Sequence, residues 1–581
     1  MPPRQGALPK PDEGQQVGPS KTLQYRDFST GLVRTGSRPG IPETALWDST
    51  NAQVIGPGEL HTLPDPGASI VTLSPAAASL WGVVLNISGT EAARLIAIQT
   101  DGSANAINPV NGALTSICAA GVLSSATRLT MWRDTHVLFI DPTKGYASWD
   151  GTNFVQYPGT ITVTLTTGVT TGTWTAGIPA AALVPGMGVD SAGNLTAGTT
   201  ILSVVGTTIT FSANALATGS KVLNIGTGAP TSGRDIAVFE ARAWIVTGTR
   251  GIAFTGPGSF TNFATVYSGG ATVITDPVFQ GQITHLLASI GLLWVVGADA
   301  FNTISNVQVD ATSGQTTFQN DNLVAGAGSP YADSVQPLFR TIIFLTTAGV
   351  YAILGATPQK LSDALDGLFP DVAGLGTAPG GVFDLNNIRV YAVLVTIDGA
   401  TRLLVYSRPT WCVSDQGALT WVTTLVRTNG ALELWGTDAA GHVVQCFAGT
   451  TGSYDVAFKL FDYDALTRNK TVKRYLVEME VLGSGMVDMD VYLESEHGSV
   501  LQPNVNQAGV VTWINQSGQP VTWVNNTAGV VTWAALGRVI IFGEAEFSGN
   551  LVSMRLKGSG SVPLIIGAFA WEIGATGEWV F

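Results

Sequence analysis

The chain has 581 residues, of which 45% are hydrophobic and only 12% charged. Its formal net charge of −13 excludes non-specific wrapping of nucleic acid by an exposed basic face, and its apolar content excludes a disordered chain. With 69 glycines and short β-branched strings between turn residues, it reads as an all-β protein of roughly two to four domains.

Residues 1–24 are rich in Pro, Gly and Gln, without hydrophobic periodicity, and predict an extended N-terminal arm. They contain no apolar core of a signal peptide, and no stretch of 18 apolar residues follows. The expectation is synthesis in the cytoplasm and no stable membrane insertion.

Residues 25–159 read as strands and turns, with Arg128–Trp132, Val137–Ile140 and Tyr146–Trp149 setting a pattern. The pattern returns at Asp235–Phe239, Ala243–Val246 and Gly251–Phe254, and at Leu286–Ile290, Leu292–Val296 and Phe301–Ser305. It appears again at Val335–Phe339, Thr341–Leu345 and Gly349–Leu354, and at Thr423–Arg427, Leu432–Trp435 and Val443–Phe447. Units of three or four strands at this spacing predict β-propeller blades, split into a first part at 25–159 and a second at 228–454. A pair of β-sandwiches is the competing arrangement.

Residues 160–227 break the pattern. They are almost free of charge, and strings such as Thr160-Ile-Thr-Val-Thr-Leu-Thr166 alternate Thr with aliphatics, giving strands with one buried and one polar face. They predict a small β-domain inserted between two blades, autonomous and dispensable for the main fold. From 455 to 581 the strings lengthen into those of a C-terminal β-sandwich. Within it, at 504–535, Val-Thr-Trp recurs every ten residues, ending in Trp513, Trp523 and Trp533. This segment predicts a β-ribbon whose rings lie close together and form a candidate subunit contact. The low overall charge points the same way, to a surface covered by other subunits.

The chain offers little catalytic chemistry. Its five histidines, His61, His136, His285, His442 and His497, are isolated in sequence, without a HExxH or His-x-His spacing. No Walker loop, GxSxG or strand-borne GxGxxG occurs. Cys118, Cys412 and Cys446 form no CxxC pair and read as buried reduced thiols. No metal, cofactor or catalytic residue is expected. Ser148-Trp-Asp-Gly-Thr-Asn-Phe154 approximates a sialidase Asp-box but is one residue short and occurs once. It reads as a tight turn at Asp150-Gly151 with Phe154 packed beneath.

Asp27-Phe-Ser-Thr-Gly-Leu-Val-Arg34, Ile41-Pro-Glu-Thr-Ala-Leu46, Leu60–Gly67, Gly349–Gly355 and the terminal Ile573-Gly-Ala-Thr-Gly-Glu-Trp579 resemble a family of tail nozzle proteins of short-tailed bacteriophages. The match departs from the family pattern at Asp65, where an Arg would precede Pro66-Gly67. The resemblance implies a non-enzymatic virion protein in the tail, assembled as a ring homo-oligomer, a hexamer, below the head-to-tail adaptor. Its other partners would be tail fibre or spike proteins and DNA in transit during ejection. An acidic lumen would let the duplex slide. Two alternatives stand beside it: a receptor-binding or fibre-attachment tail protein, and a propeller glycan hydrolase, which would need carboxylates and arginines converging at the propeller axis.

Overall fold

A computed structural model describes residues 21–56, 58–87, 89–355, 357–369, 372–373, 376–463, 468–481, 486–502, 507–508, 523–524, 530–531, 537–561 and 564–578. Its regular structure is almost wholly β, with only short 3₁₀ turns besides strands, as the composition predicts. No helix among the described residues is long and apolar enough to cross a membrane. The chain divides into two compact units, one of residues 1–64, 409–413 and 450–581, the other of residues 65–408 and 414–449.

The larger unit is a propeller. Six of its blades are antiparallel four-stranded sheets. Blade I runs through Ala77–Ile87, Thr90–Gln99, Ala104–Ile107 and Leu114–Cys118, and blade II through Arg128–Trp132, His136–Asp141, Gly145–Trp149 and Phe154–Tyr157. Blades III, IV and V occupy Asp235–Val273, Ile283–Ala325 and Gln336–Lys360. Blade VI contains Gly380–Leu385, Ile388–Ile397 and Ala400–Ser407. Blade VII is Leu419–Val426, Leu432–Asp438 and His442–Gln445, completed by Val71–Thr72 from the start of the unit. First strands of blades II and III, III and IV, V and VI, and VI and VII pack on one another, and the first strand of blade VII packs on that of blade I. At that contact a Cβ on Gly82 would overlap the Thr424 carbonyl oxygen, so only glycine allows the two strands to approach so closely.

Stacking explains the sequence pattern. A sheet covered on both faces needs apolar residues at consecutive positions rather than alternate ones. The second strands carry such runs: Val137–Ile140, Ala243–Val246, Leu293–Val296 and Ile342–Leu345 are all buried. Blades I and VI fall outside the five repeats read from sequence. Their second strands run to 10 residues each, longer than the 5 to 7 of the other five blades, although Leu95–Ile98 and Val390–Val393 show the same buried run.

The insert between blades II and III forms one six-stranded sheet, from Gly159–Leu165 to Gly219–Ile225. The alternation holds there: Ile161, Val163 and Leu165 are buried while Thr160 and Thr164 are exposed. Its autonomy does not follow. The core of the insert runs without a break into Tyr146, Tyr157, Phe260 and Phe263 of blades II and III. Asn262 fastens it further, its Nδ2 donating to Gly186 O at 2.9 Å and its Oδ1 accepting from Gly188 N at 2.6 Å. Tyr267 Oη donates to the carbonyls of Val189 and Thr199 at 3.1 and 3.2 Å. A side chain on Gly188 would run into the Tyr267 ring.

The smaller unit is a sandwich of two sheets. One is ordered Ala52–Ile55, Glu59–Thr62, Leu564–Glu578, Arg468–Val481, Gly537–Gly549; the other contains Ala45–Thr50, Thr451–Phe458, Val552–Ser561 and Met486–Ser495. Between them lie Leu46, Val456, Val477, Leu493, Leu556 and Ile566, all buried. Two expected boundaries change. Residues 25–64 belong with the sandwich rather than with the first part of the propeller, because their strands pair with segments more than 400 residues away. The arm ends earlier than residue 24: Lys21–Tyr25 is a strand antiparallel to Leu564–Glu578, and Tyr25 stacks on Phe569 at 4.8 Å between ring centroids. Trp513 and Trp533 of the expected ribbon lie outside the described residues. Trp523 begins a two-residue strand paired with Val530–Val531, in a register that sets it opposite Val531.

Candidate functional site

Propellers collect the beginnings of their first strands around the axis, so side chains there come from distant parts of the chain. Arg128 opens blade II, Asp333 sits in the turn Ala332–Ser334 before blade V, Trp81 lies in blade I and Trp421 in blade VII. One guanidinium brings all four together. Arg128 is ion-paired with Asp333, and its Cζ lies 5.5 Å from the Trp81 ring centroid and 5.8 Å from that of Trp421. The two indoles are 5.6 Å apart. Burial opposes the charge on Arg128, but the attraction of Asp333 and Asp235 outweighs it and raises the guanidinium above its ordinary pKa.

Asp235, at the start of blade III, accepts the Leu286 backbone N–H at 2.6 Å and lies 2.8 Å from Nδ1 of His285 in blade IV. His285, isolated in sequence, thus has a carboxylate neighbour in space. Carboxylates and an arginine do converge at the axis, but the arginine is paired with Asp333 and flanked by two aromatic rings. Asp333 is 7% exposed, and its Oδ2 has no hydrogen-bond partner among the described residues.

The other sequence candidates are dispersed. His442 Nδ1 is 2.8 Å from Asp438 Oδ2 within one turn, His136 is buried, and no cluster of three or more His, Cys, Asp or Glu with metal-binding geometry occurs among the described residues. The Asp150-Gly151 turn forms as read: Asp150 Oδ1 accepts from Thr152 N and Asn153 N at 2.8 and 2.6 Å, and Phe154 packs on Phe139. The three cysteines are buried and free. Burial pushes the Cys118 thiol up to about 11 and those of Cys412 and Cys446 up to about 12.

Cavities among the described residues include an open one of about 430 Å³ at the edges of blades III and IV, lined by Gly270, Thr272, Thr316 and Phe318 among others, and two more. One, in the sandwich, is an open groove beside Arg474, which reaches Glu544 at 3.5 Å and Glu572 at 3.9 Å; exposed pairs of this kind contribute little. Another, about 380 Å³, lies in the propeller between blades VI and VII. It is lined by Thr377, Thr396, Thr401, Leu394, Leu419 and Trp421 among others. Sequence reading missed both the axial cluster and this cavity, since neither has a local motif. No family model matches the chain, and no curated protein matches it.

Proposed function

We propose that the chain is a non-enzymatic structural protein of a short-tailed phage virion, forming a ring homo-oligomer, a hexamer, in the tail nozzle through which DNA leaves. The observation that carries the non-enzymatic part is the axial cluster. Its arginine is committed to Asp333, Trp81 and Trp421, so the charges that a propeller hydrolase would present to a glycan hold the blades together instead. The net charge of −13 suits a lumen that repels phosphate. In this reading the head-to-tail adaptor and the tail fibre or spike proteins are its neighbours, and the segment bearing Trp513, Trp523 and Trp533 contacts an adjacent subunit. Negative-stain imaging and native mass measurement of the purified chain test the proposal. A closed ring around a central channel is the expected result; a chain that stays monomeric at high concentration and is absent from virions overturns it.

A further inference from the structure

Several polar groups lining the cavity between blades VI and VII make no hydrogen bond to a described residue, although the Thr420 hydroxyl donates to Thr437 O at 3.2 Å. Thr396 and Thr401 face each other across the hairpin that turns at Asp398-Gly399, and both line the cavity with Thr377. Neither these three hydroxyls nor the Trp421 indole N–H makes a hydrogen bond to any described residue. Leu394 and Leu419, both buried, supply apolar wall. A register shift between Leu419 and Trp421 marks a β-bulge, a device that re-aims side chains at a strand end. No ionisable side chain is among the described residues that line the cavity.

We infer that this cavity is a binding site for a neutral, hydroxyl-rich ligand of monosaccharide size. Its volume falls within the ~300–1,000 Å³ typical of small-molecule sites. A pyranose matches the lining group for group: its C–H face lies against an indole and aliphatic side chains, while its hydroxyls exchange hydrogen bonds with threonine hydroxyls, which both donate and accept. A charged ligand would lose its hydration and meet no ionisable group among the described lining residues, the nearby Arg128 guanidinium being paired with Asp333. The site is independent of the assembly role proposed above, because its walls all come from one propeller.

Saturation-transfer NMR on the full chain, with methyl glycosides of neutral hexoses and with glucuronate as the charged control, tests the assignment. Transfer to at least one neutral glycoside and none to glucuronate is expected. The double substitution Thr396→Val and Thr401→Val keeps shape and strand propensity, and should weaken binding by about ten-fold or more, as two lost hydrogen bonds require. A trisaccharide ending in the same sugar separates the two sources: equal or tighter binding identifies a glycan terminus as the ligand, loss of binding a free sugar. Absence of transfer from every neutral glycoside at tens of millimolar, equal transfer to glucuronate, or unchanged binding by the double variant would overturn the inference.

Discussion

Arg128 and Asp333 form a buried pair whose removal on one side leaves the other charge unpaired in the propeller. Asp333→Ala should therefore destabilise the chain by about 3–5 kcal/mol, whereas the combined change Arg128→Met and Asp333→Leu should cost much less. Urea titration followed by tryptophan fluorescence distinguishes the two. Asp141 has a different role. Burial opposes its charge, but Thr127 Oγ1 and the N–H groups of Ser124, Thr143 and Lys144 all donate to it, and together they bring its pKa down to about 2. A carboxylate depressed in the folded state contributes stability above its unfolded pKa of about 4 and loses it as pH falls toward 2. Thermal melts from pH 5 to pH 2 should show that loss, and Asp141→Asn should flatten it. The buried thiols of Cys118, Cys412 and Cys446, with their raised pKa values, should react with a thiol reagent at neutral pH only after denaturation.

At the scale of elements, the insert shows how a segment can be read correctly as a unit and wrongly as an independent one. Thr–aliphatic alternation in Thr160–Thr166 is a local property, and it specifies strands with one buried face. What that face covers is not local: Phe260 and Phe263 arrive from a loop about a hundred residues later and complete the same core. Replacing residues 160–227 with a Gly-Ser linker should therefore expose these aromatic rings and lower the melting temperature of the remaining propeller. A melting curve unchanged from that of the full chain would show that the shared core adds nothing to the blades. Tyr267→Phe removes only the clamp to Val189 and Thr199 and should cost about 1 kcal/mol.

At the scale of the molecule, the propeller closes because Val71–Thr72 pairs with His442–Gln445, joining the two ends of the unit in one sheet. The N–H of Ile70 donates to Val443 O at 3.0 Å, and that of Leu73 to Gly441 O at 2.8 Å. Ile70→Pro deletes the first of these bonds and imposes a fixed φ. It should make blade VII the first site of limited proteolysis, with cleavage mapped by mass spectrometry between residues 427 and 449. Protection equal to that of the unaltered chain would mean that the closing strand bears little of the load.

The sequence by itself determined the β class, the strand centres, the inserted segment and the reduced state of the cysteines. Each depends on side-chain periodicity or composition over a few residues, where covalent geometry leaves few choices. It also held the signal for blades I and VI, in Leu95–Ile98 and Val390–Val393, since a continuous apolar run already implies a strand covered on both faces. Only the tertiary structure decided that residues 25–64 join the sandwich, that Val71–Thr72 completes blade VII, and that Arg128 meets Asp333, Trp81 and Trp421. The reason is sequence separation. Pairing between strands hundreds of residues apart follows from which buried faces and ladder edges find partners in the whole chain, and no local window of sequence contains that information.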